Sequence, residues 1–288
     1  MDRTTLKILK PGDEAALEAF LLPRVDSSMF LLGNMRAAGL VDRGGTFEGS
    51  YSAVFDGSEI SSVIAHYWNG NLVFQAPCHL DALLQSVRRA SGRPVRGLLG
   101  PAEQVAEAMT AMPDMGLDLQ LDETETLFSL DLDHLVVPES LLRSNLRGRR
   151  IVLEDIERVA RWTARFRVES LGAEDTPDLL ESCRLDVEGA CRRGATWILE
   201  DGGTPVAISS FNTAIEEAVQ IGGVWTPPEL RSRGYGRAVV AASLLDARAE
   251  GAHKAVLFTA GSNAPARKAY RALGFRPVGN YRLVLLRG

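Results

Sequence analysis

Apolar and polar positions alternate in short runs through much of the chain. YSAVFDGSEISSVIAHY (51–67) reads as a strand, an Asp-Gly turn and a strand. TWILEDGGTPVAISSF (196–211) repeats that pattern around Asp201-Gly202. A third strand follows in each case, NLVFQA (71–76) and AVQIGGVW (218–225). The period then lengthens to that of a helix in LDALLQSVRRA (80–90) and GRAVVAASLLDARAE (236–250). Short apolar strands come next, VRGLLG (95–100) and KAVLFTA (254–260). Helical patterns close each series, AEQVAEAMTAM (102–112) and APARKAYRAL (264–273). The order β-β-β-α-β-α, preceded by helices, thus occurs twice. It predicts a duplicated α+β unit.

The seam between the copies is predicted in DLDHLVVPESLLRSNLRGRR (131–150), which is polar and carries Pro138 and Gly148. The predicted domains are 1–140 and 149–288. TETLFSL (124–130) reads as a strand before the seam. EDIERVARWTARFRVESL (154–171) reads as an amphipathic helix after it, with Ile156, Val159, Trp162 and Phe166 near helical spacing.

Composition narrows the class. The chain has 288 residues, enough for two ordinary domains, and is 45% hydrophobic and 24% charged, a globular balance. No apolar run approaches the roughly 20 residues of a membrane helix. The N-terminal stretch lacks the pattern of a secretion signal, so a cytoplasmic protein with no membrane partner is expected. Cys78, Cys183 and Cys191 are too sparse for a disulfide framework, and the four histidines are scattered; no metal site is expected. Net charge is −5, divided as −8 over residues 1–148 and +3 over the rest. The acidic half is a poor partner for nucleic acid, and the mildly basic half suits a small anionic ligand.

The stretch VQIGGVWTPPELRSRGYGRAVVAASLL (219–245) carries the chemistry. Its loop reads Arg231, Ser232, Arg233, Gly234, Tyr235, Gly236, and a helix follows with Arg237 in its first turn. Glycines let the backbone pass close to a ligand, and a helix start presents unpaired N–H groups and partial positive charge. Together they form a phosphate cradle. A dinucleotide fingerprint does not fit, because no third glycine follows, and no GxxxxGK[ST] loop exists in the chain.

Further on, SNAPARKAYRALGF (262–275) supplies Asn263, Ala266, Tyr270, Leu273, Gly274 and Phe275 in the pattern NxxAxxxYxxLGF. Strand, RxxGxG loop, helix, strand and this helix together resemble the GNAT superfamily of acetyl-CoA-dependent N-acetyltransferases. The specific likeness covers about 218–288, and a looser one reaches back to about 149. The wording GVWTPPELRSRGYG is similar to a bacterial two-domain subgroup with a degenerate N-terminal GNAT-like half. The resemblance implies tandem GNAT-like α+β domains, each with a mixed, mostly antiparallel sheet flanked by helices.

The resemblance also implies roles. Acetyl-CoA would be the cosubstrate, its pyrophosphate held by the backbone from Ser232 to Arg237. Val224, Trp225 and Thr226 would pair with the pantetheine amides, and backbone N–H groups near Val224 and Trp225 would face the oxyanion. Asn263 has two readings, a helix cap or a pantetheine contact. Arg267, with Lys268 and Arg271, is either a contact of the adenosine-phosphate end or solvated charge, and Arg231 and Ala266 are also expected among the cofactor-binding residues. Tyr270 is either the acid that protonates the leaving thiolate or a core tyrosine. Glu217 is the candidate base, its alternative a solvated loop carboxylate. The first half reads QAPCHLDALL (75–84) where the loop should stand, so it is expected not to bind CoA. The implied reaction is direct attack of a primary amine, of a small molecule or amino acid, on the thioester. Three alternatives remain: a non-catalytic acyl-CoA sensor, an aminoacyl-tRNA-dependent transferase and a protein acyltransferase. The acceptor and the choice between monomer and homodimer are not encoded in any pattern found.

Overall fold

The computed structural model describes residues 4–112, 118–143 and 145–287. The chain forms two compact units, Met1–Leu127 with Val278–Gly288, and Phe128–Pro277.

In the first unit, β1 (Thr4–Ile8) leads into α1 (Glu14–Leu21) and α2 (Val25–Ala38). Three antiparallel strands follow, β2 (Gly49–Asp56), β3 (Glu59–Tyr67) and β4 (Asn71–Gln75). The predicted Asp-Gly turn joins β2 to β3, and Gly57 takes φ +66°, a conformation favoured by glycine. Next come α3 (Leu80–Ser91), β5 (Gly97–Pro101) and α4 (Ala102–Ala111). β5 runs parallel to β4. The apolar face of α3 packs Leu80, Leu83, Leu84 and Val87 against Ile64, Leu72 and Phe74 of the sheet. Full burial of each such side chain is worth about 1.5–3 kcal/mol.

The second unit repeats this order. β6 (Leu119–Asp131) enters it at Phe128, and α5 (Glu139–Arg143) and β7 (Leu146–Arg150) follow. The chain continues through α6 (Ile156–Leu171), α7 (Pro177–Arg192), β8 (Thr196–Asp201), β9 (Thr204–Ala214) and β10 (Ala218–Trp225). α8 (Tyr235–Ala249), β11 (Lys254–Ala260) and α9 (Ala264–Ala272) complete it. Strand order within the unit is β6-β11-β10-β9-β8-β7, with β10 and β11 parallel. One face of this sheet packs Trp197, Val219, Ile221 and Leu257 against α8 and α9. The other packs Ile198, Ile208 and Trp225 against α6 and α7.

The mixed, mostly antiparallel α+β architecture agrees with the sequence reading. Two features depart from it. The units divide at Leu127/Phe128, inside β6, and not between 140 and 149. The segment expected as a linker is built into the second unit: a Cβ at Gly148 of β7 would stand 2.2 Å from the Cβ of Ala242 in α8. The last strand, β12 (Arg276–Leu286), was not read from the sequence as an element. From Val278 onward it belongs to the first unit, where it pairs antiparallel with β5, Tyr281 opposite Pro101 and Leu285 opposite Gly97.

Candidate active site

The site is built where β10 and β11 part. Their register runs Ala218–Lys254, Val219–Ala255, Gln220–Val256, and then stops, although both strands continue. On its other edge β10 is bulged against β9. Gly222 pairs with Ser210 and Trp225 with Ile208, so Gly223 and Val224 together face Ser209. Gly223 takes φ +58°, and a bulge of this kind bends the strand away from its neighbour. Pro227 and Pro228 follow at once; neither can donate to a sheet, and the strand ends.

The loop then turns into α8. Ser232 and Gly234 both adopt left-handed backbone, φ +63° and +81°. The first helical bond runs from the Ala238 N–H to the Gly234 carbonyl at 3.0 Å. The N–H groups of Tyr235, Gly236 and Arg237 therefore have no intrahelical acceptor. No acidic residue occupies the first turn of α8, so the helix dipole there is uncompensated. The two glycines have different reasons. Gly234 is demanded by its backbone. Gly236 is not: a Cβ there would meet Thr226 Oγ1 at 3.7 Å and Val224 Cγ1 at 4.0 Å, ordinary contact. The protein's own packing leaves that approach open.

Side chains fix the loop from both sides. The Tyr235 hydroxyl donates to Asp201 at 2.6 Å, and that hydrogen bond raises the phenol's pKa. Arg231 Nη2 donates to Glu169 at the end of α6, 2.6 Å, and its Nε to the Thr226 carbonyl, 3.1 Å. Glu169 also accepts the indole N–H of Trp225 at 3.4 Å. The Arg231 guanidinium holds the Glu169 carboxyl below its ordinary range. Arg233 reaches back to the Glu229 carbonyl at 3.4 Å. By contrast, Nε of Arg237 in α8 and Nε of Arg267 in α9 are buried with no partner among the described residues. The Arg267 guanidinium donates from Nη1 to the Gly261 carbonyl at 2.9 Å.

On α9, Asn263 caps the helix, its side-chain oxygen accepting from the Ala266 N–H at 3.2 Å. Ala266 packs against the core behind it. Tyr270 is 8% exposed, its ring 6.4 Å from that of Phe128 and 6.0 Å from that of Phe275. Val224, Trp225 and Thr226 stand at the open end of β10, beside the loop. Glu217 does not. It precedes β10 at the far end, where its carbonyl accepts from His253 and Lys254. At about 3.3 Å per strand residue, the eight residues to Trp225 span roughly 26 Å. A direct role for Glu217 as the base is not supported by this placement.

Glu169 is the site residue that the sequence reading missed. It shares a face of α6 with Trp162 and Phe166, but its partner Arg231 lies 62 residues away, a pairing that no spacing encodes. Cys183 is buried, and burial pushes its thiol pKa up, the opposite of what an acyl-carrying nucleophile needs. Among the described residues no group of three or more His, Cys, Asp or Glu could hold a metal ion.

Splayed parallel strands, a glycine loop and an open helix start thus meet at one place in the second unit. Residues 156–275, within the second unit, match the model of the acetyltransferase (GNAT) family. No curated protein matches the chain. Among solved structures, a Drosophila protein aligns at 13% identity over 98% of both chains with a TM-score of 0.68. A GCN5-related N-acetyltransferase from Sphaerobacter thermophilus aligns at 15% identity over 100% of this chain and 98% of its own, TM-score 0.58. A tandem GNAT protein from the clavulanic acid biosynthesis pathway aligns at 14% identity over 98% of both, TM-score 0.53. At these identities the likeness concerns the fold. No described helix is long and apolar enough to cross a membrane.

Proposed function

We propose that the second unit binds acetyl-CoA and transfers its acetyl group to a primary amine of a small molecule or amino acid by direct attack. One observation carries the reading. Three helix-start N–H groups and two buried guanidinium nitrogens with no partner among the described residues, of Arg237 and Arg267, lie on the first turns of the helices that flank the parted strands. Buried donors without acceptors are rare and costly, and a polyphosphate satisfies both kinds.

Acetyl-CoA fits the residues present and would supply an activated acyl thioester. The N–H groups of Tyr235 to Arg237 would hold its pyrophosphate, with Arg237 and Arg267 on the remaining phosphate oxygens. The open edge of β10 at Gly223–Trp225 would orient the pantetheine arm and offer N–H groups to the developing oxyanion. Tyr270 would hold a proton at its hydroxyl, ready for the leaving sulfur. A simple thiol has a pKa near 8.5, so this acid need contribute only modestly. The Glu217 placement leaves no dedicated base in this scheme, and the amine would lose its proton to water.

Titration calorimetry with acetyl-CoA tests the reading directly. Saturable binding at a single site per chain is expected. Its absence in a folded protein would remove the basis of the proposal.

A second reading, a non-catalytic acyl-CoA-binding module, is favoured by the packing of Tyr270 within the aromatic core. Tyr270→Phe separates the two. The enzyme reading expects acetyl-CoA affinity to be kept and turnover with an amine to fall.

A further inference from the structure

Each unit buries a glutamine on the strand that pairs parallel with the next one, β4 in the first unit and β10 in the second. In the first, Gln75 is satisfied: its Oε1 accepts from the hydroxyls of Ser27 at 3.0 Å and Ser28 at 3.2 Å, both on α2. In the second, Gln220 is 3% exposed, and its Oε1 has no donor among the described residues. A buried carbonyl in this state bears its desolvation cost uncompensated, so its retention calls for a reason.

Its position supplies one. Gln220 and Val256 form the last pair before β10 and β11 separate. Val219 and Ile221 point into the core under α8, so Gln220 points to the opposite face, as does its other cross-strand neighbour Thr213. The unpartnered oxygen thus stands at the base of the fork, on the face away from α8.

Resting on the acyltransferase reading, we infer that Gln220 positions a ligand, its Oε1 accepting a hydrogen bond from an N–H of the bound reactants. Two groups carry such an N–H: the acceptor amine and the amides of the pantetheine arm. A carboxamide suits the task better than a carboxylate. An attacking amine must be neutral, and a carboxylate at this point would favour the ammonium form. The amide oxygen orients the nitrogen through one N–H without adding charge.

The test is Gln220→Met, close in length and lacking the acceptor, measured beside Gln75→Met. Removing an orphaned acceptor is expected to raise the melting temperature of Gln220→Met by about 2–4 °C. Removing the satisfied one in Gln75→Met is expected to lower it. Acetyl-CoA calorimetry on Gln220→Met then separates the two sources. Affinity within about threefold of wild type, with kcat/KM toward the primary amine that wild type acetylates lowered by more than about tenfold, assigns the N–H to the acceptor amine; a loss of acetyl-CoA affinity beyond about tenfold assigns it to the pantetheine; neither change overturns the inference. A melting temperature of Gln220→Met that is unchanged or lower overturns the inference, since the oxygen would then be satisfied within the protein. That failure is distinct from the failure of a folded wild type to bind acetyl-CoA, which would sink the acyltransferase reading itself.

Discussion

Between β4 and α3 the first unit closes itself. The Ala76 N–H donates to the side chain of Gln104 at 2.7 Å, and the Cys78 N–H to the hydroxyl of Ser62 at 3.2 Å. Asp81 stands in the first turn of α3 and compensates that helix's dipole. Between β10 and α8 the second unit has no such closure. No acid compensates α8, an arginine lies in its first turn with Nε unpartnered, and a left-handed glycine opens the turn. The same sequence of elements serves in one case to satisfy its own polar groups and in the other to leave them available. The difference lies in a handful of side chains and not in the architecture, and on the proposed reading it separates a unit that binds acetyl-CoA from one that does not.

The strongest way to break this comparison is to close the open copy. Gly236→Glu places a side chain and a negative charge where three N–H groups point. Because a Cβ fits there, the fold should survive with its melting temperature nearly unchanged. Acetyl-CoA affinity should fall by more than about 100-fold. Ala82→Glu makes the equivalent change in the first turn of α3 and should alter affinity by less than about twofold. Comparable losses in both variants, read by calorimetry, would show that the first unit also takes part in binding.

Arg237→Ala and Arg267→Ala come next. Each removes one charged donor and should weaken acetyl-CoA binding by about 10- to 100-fold. The loss should shrink as salt is raised. Equal affinity of either variant and wild type would return that arginine to the ordinary surface.

Much of this contrast could be read in the sequence, for local reasons. The Asp-Gly turns, the alternation of β2, β3, β8 and β9, and the helical period of α3 and α8 are all set by residues within a few positions of one another. The loop and Asn263 were legible for the same reason. What escaped is non-local. RPVGNYRLVLL (276–286) mixes polar and apolar residues, and its pairing with β5 lies some 180 positions away, so nothing near it declares which unit it joins. Glu217 looked suitable because it adjoins the right strand, but adjacency in sequence put it at the wrong end. Gly148 marked the predicted seam, and the Cβ of Ala242 explains it instead. Gln220 was visible as a residue but not as an orphan, since satisfaction is a property of the whole neighbourhood.

The closed copy can be opened in turn. Gln104→Ala strips the acceptor from the buried Ala76 N–H and should cost about 1–3 kcal/mol of stability. It should leave acetyl-CoA affinity alone. Denaturant unfolding and calorimetry on the same variant check both halves. A change in affinity would mean that the first unit's loop is coupled to the site.

The smallest effect is expected at Arg231, the residue that opens the RxxGxG pattern. Its guanidinium is committed to Glu169 and the Thr226 carbonyl, and both members of the ion pair are partly exposed. Exposed pairs contribute about 0–1 kcal/mol, so Arg231→Ala should change acetyl-CoA affinity by less than about threefold. The pair should also reveal itself through pH. Arg231 lowers the pKa of Glu169 in the folded protein, so its stabilisation is present above the ordinary glutamate range and is lost as pH falls through the depressed value. Arg231→Ala should therefore destabilise slightly at pH 7 and not at all in strong acid, and high salt should erase the difference at pH 7. An Arg231→Ala variant that loses affinity as steeply as Arg237→Ala would place this arginine on the phosphates and dissolve the distinction between the residues that hold the loop and those that face its ligand.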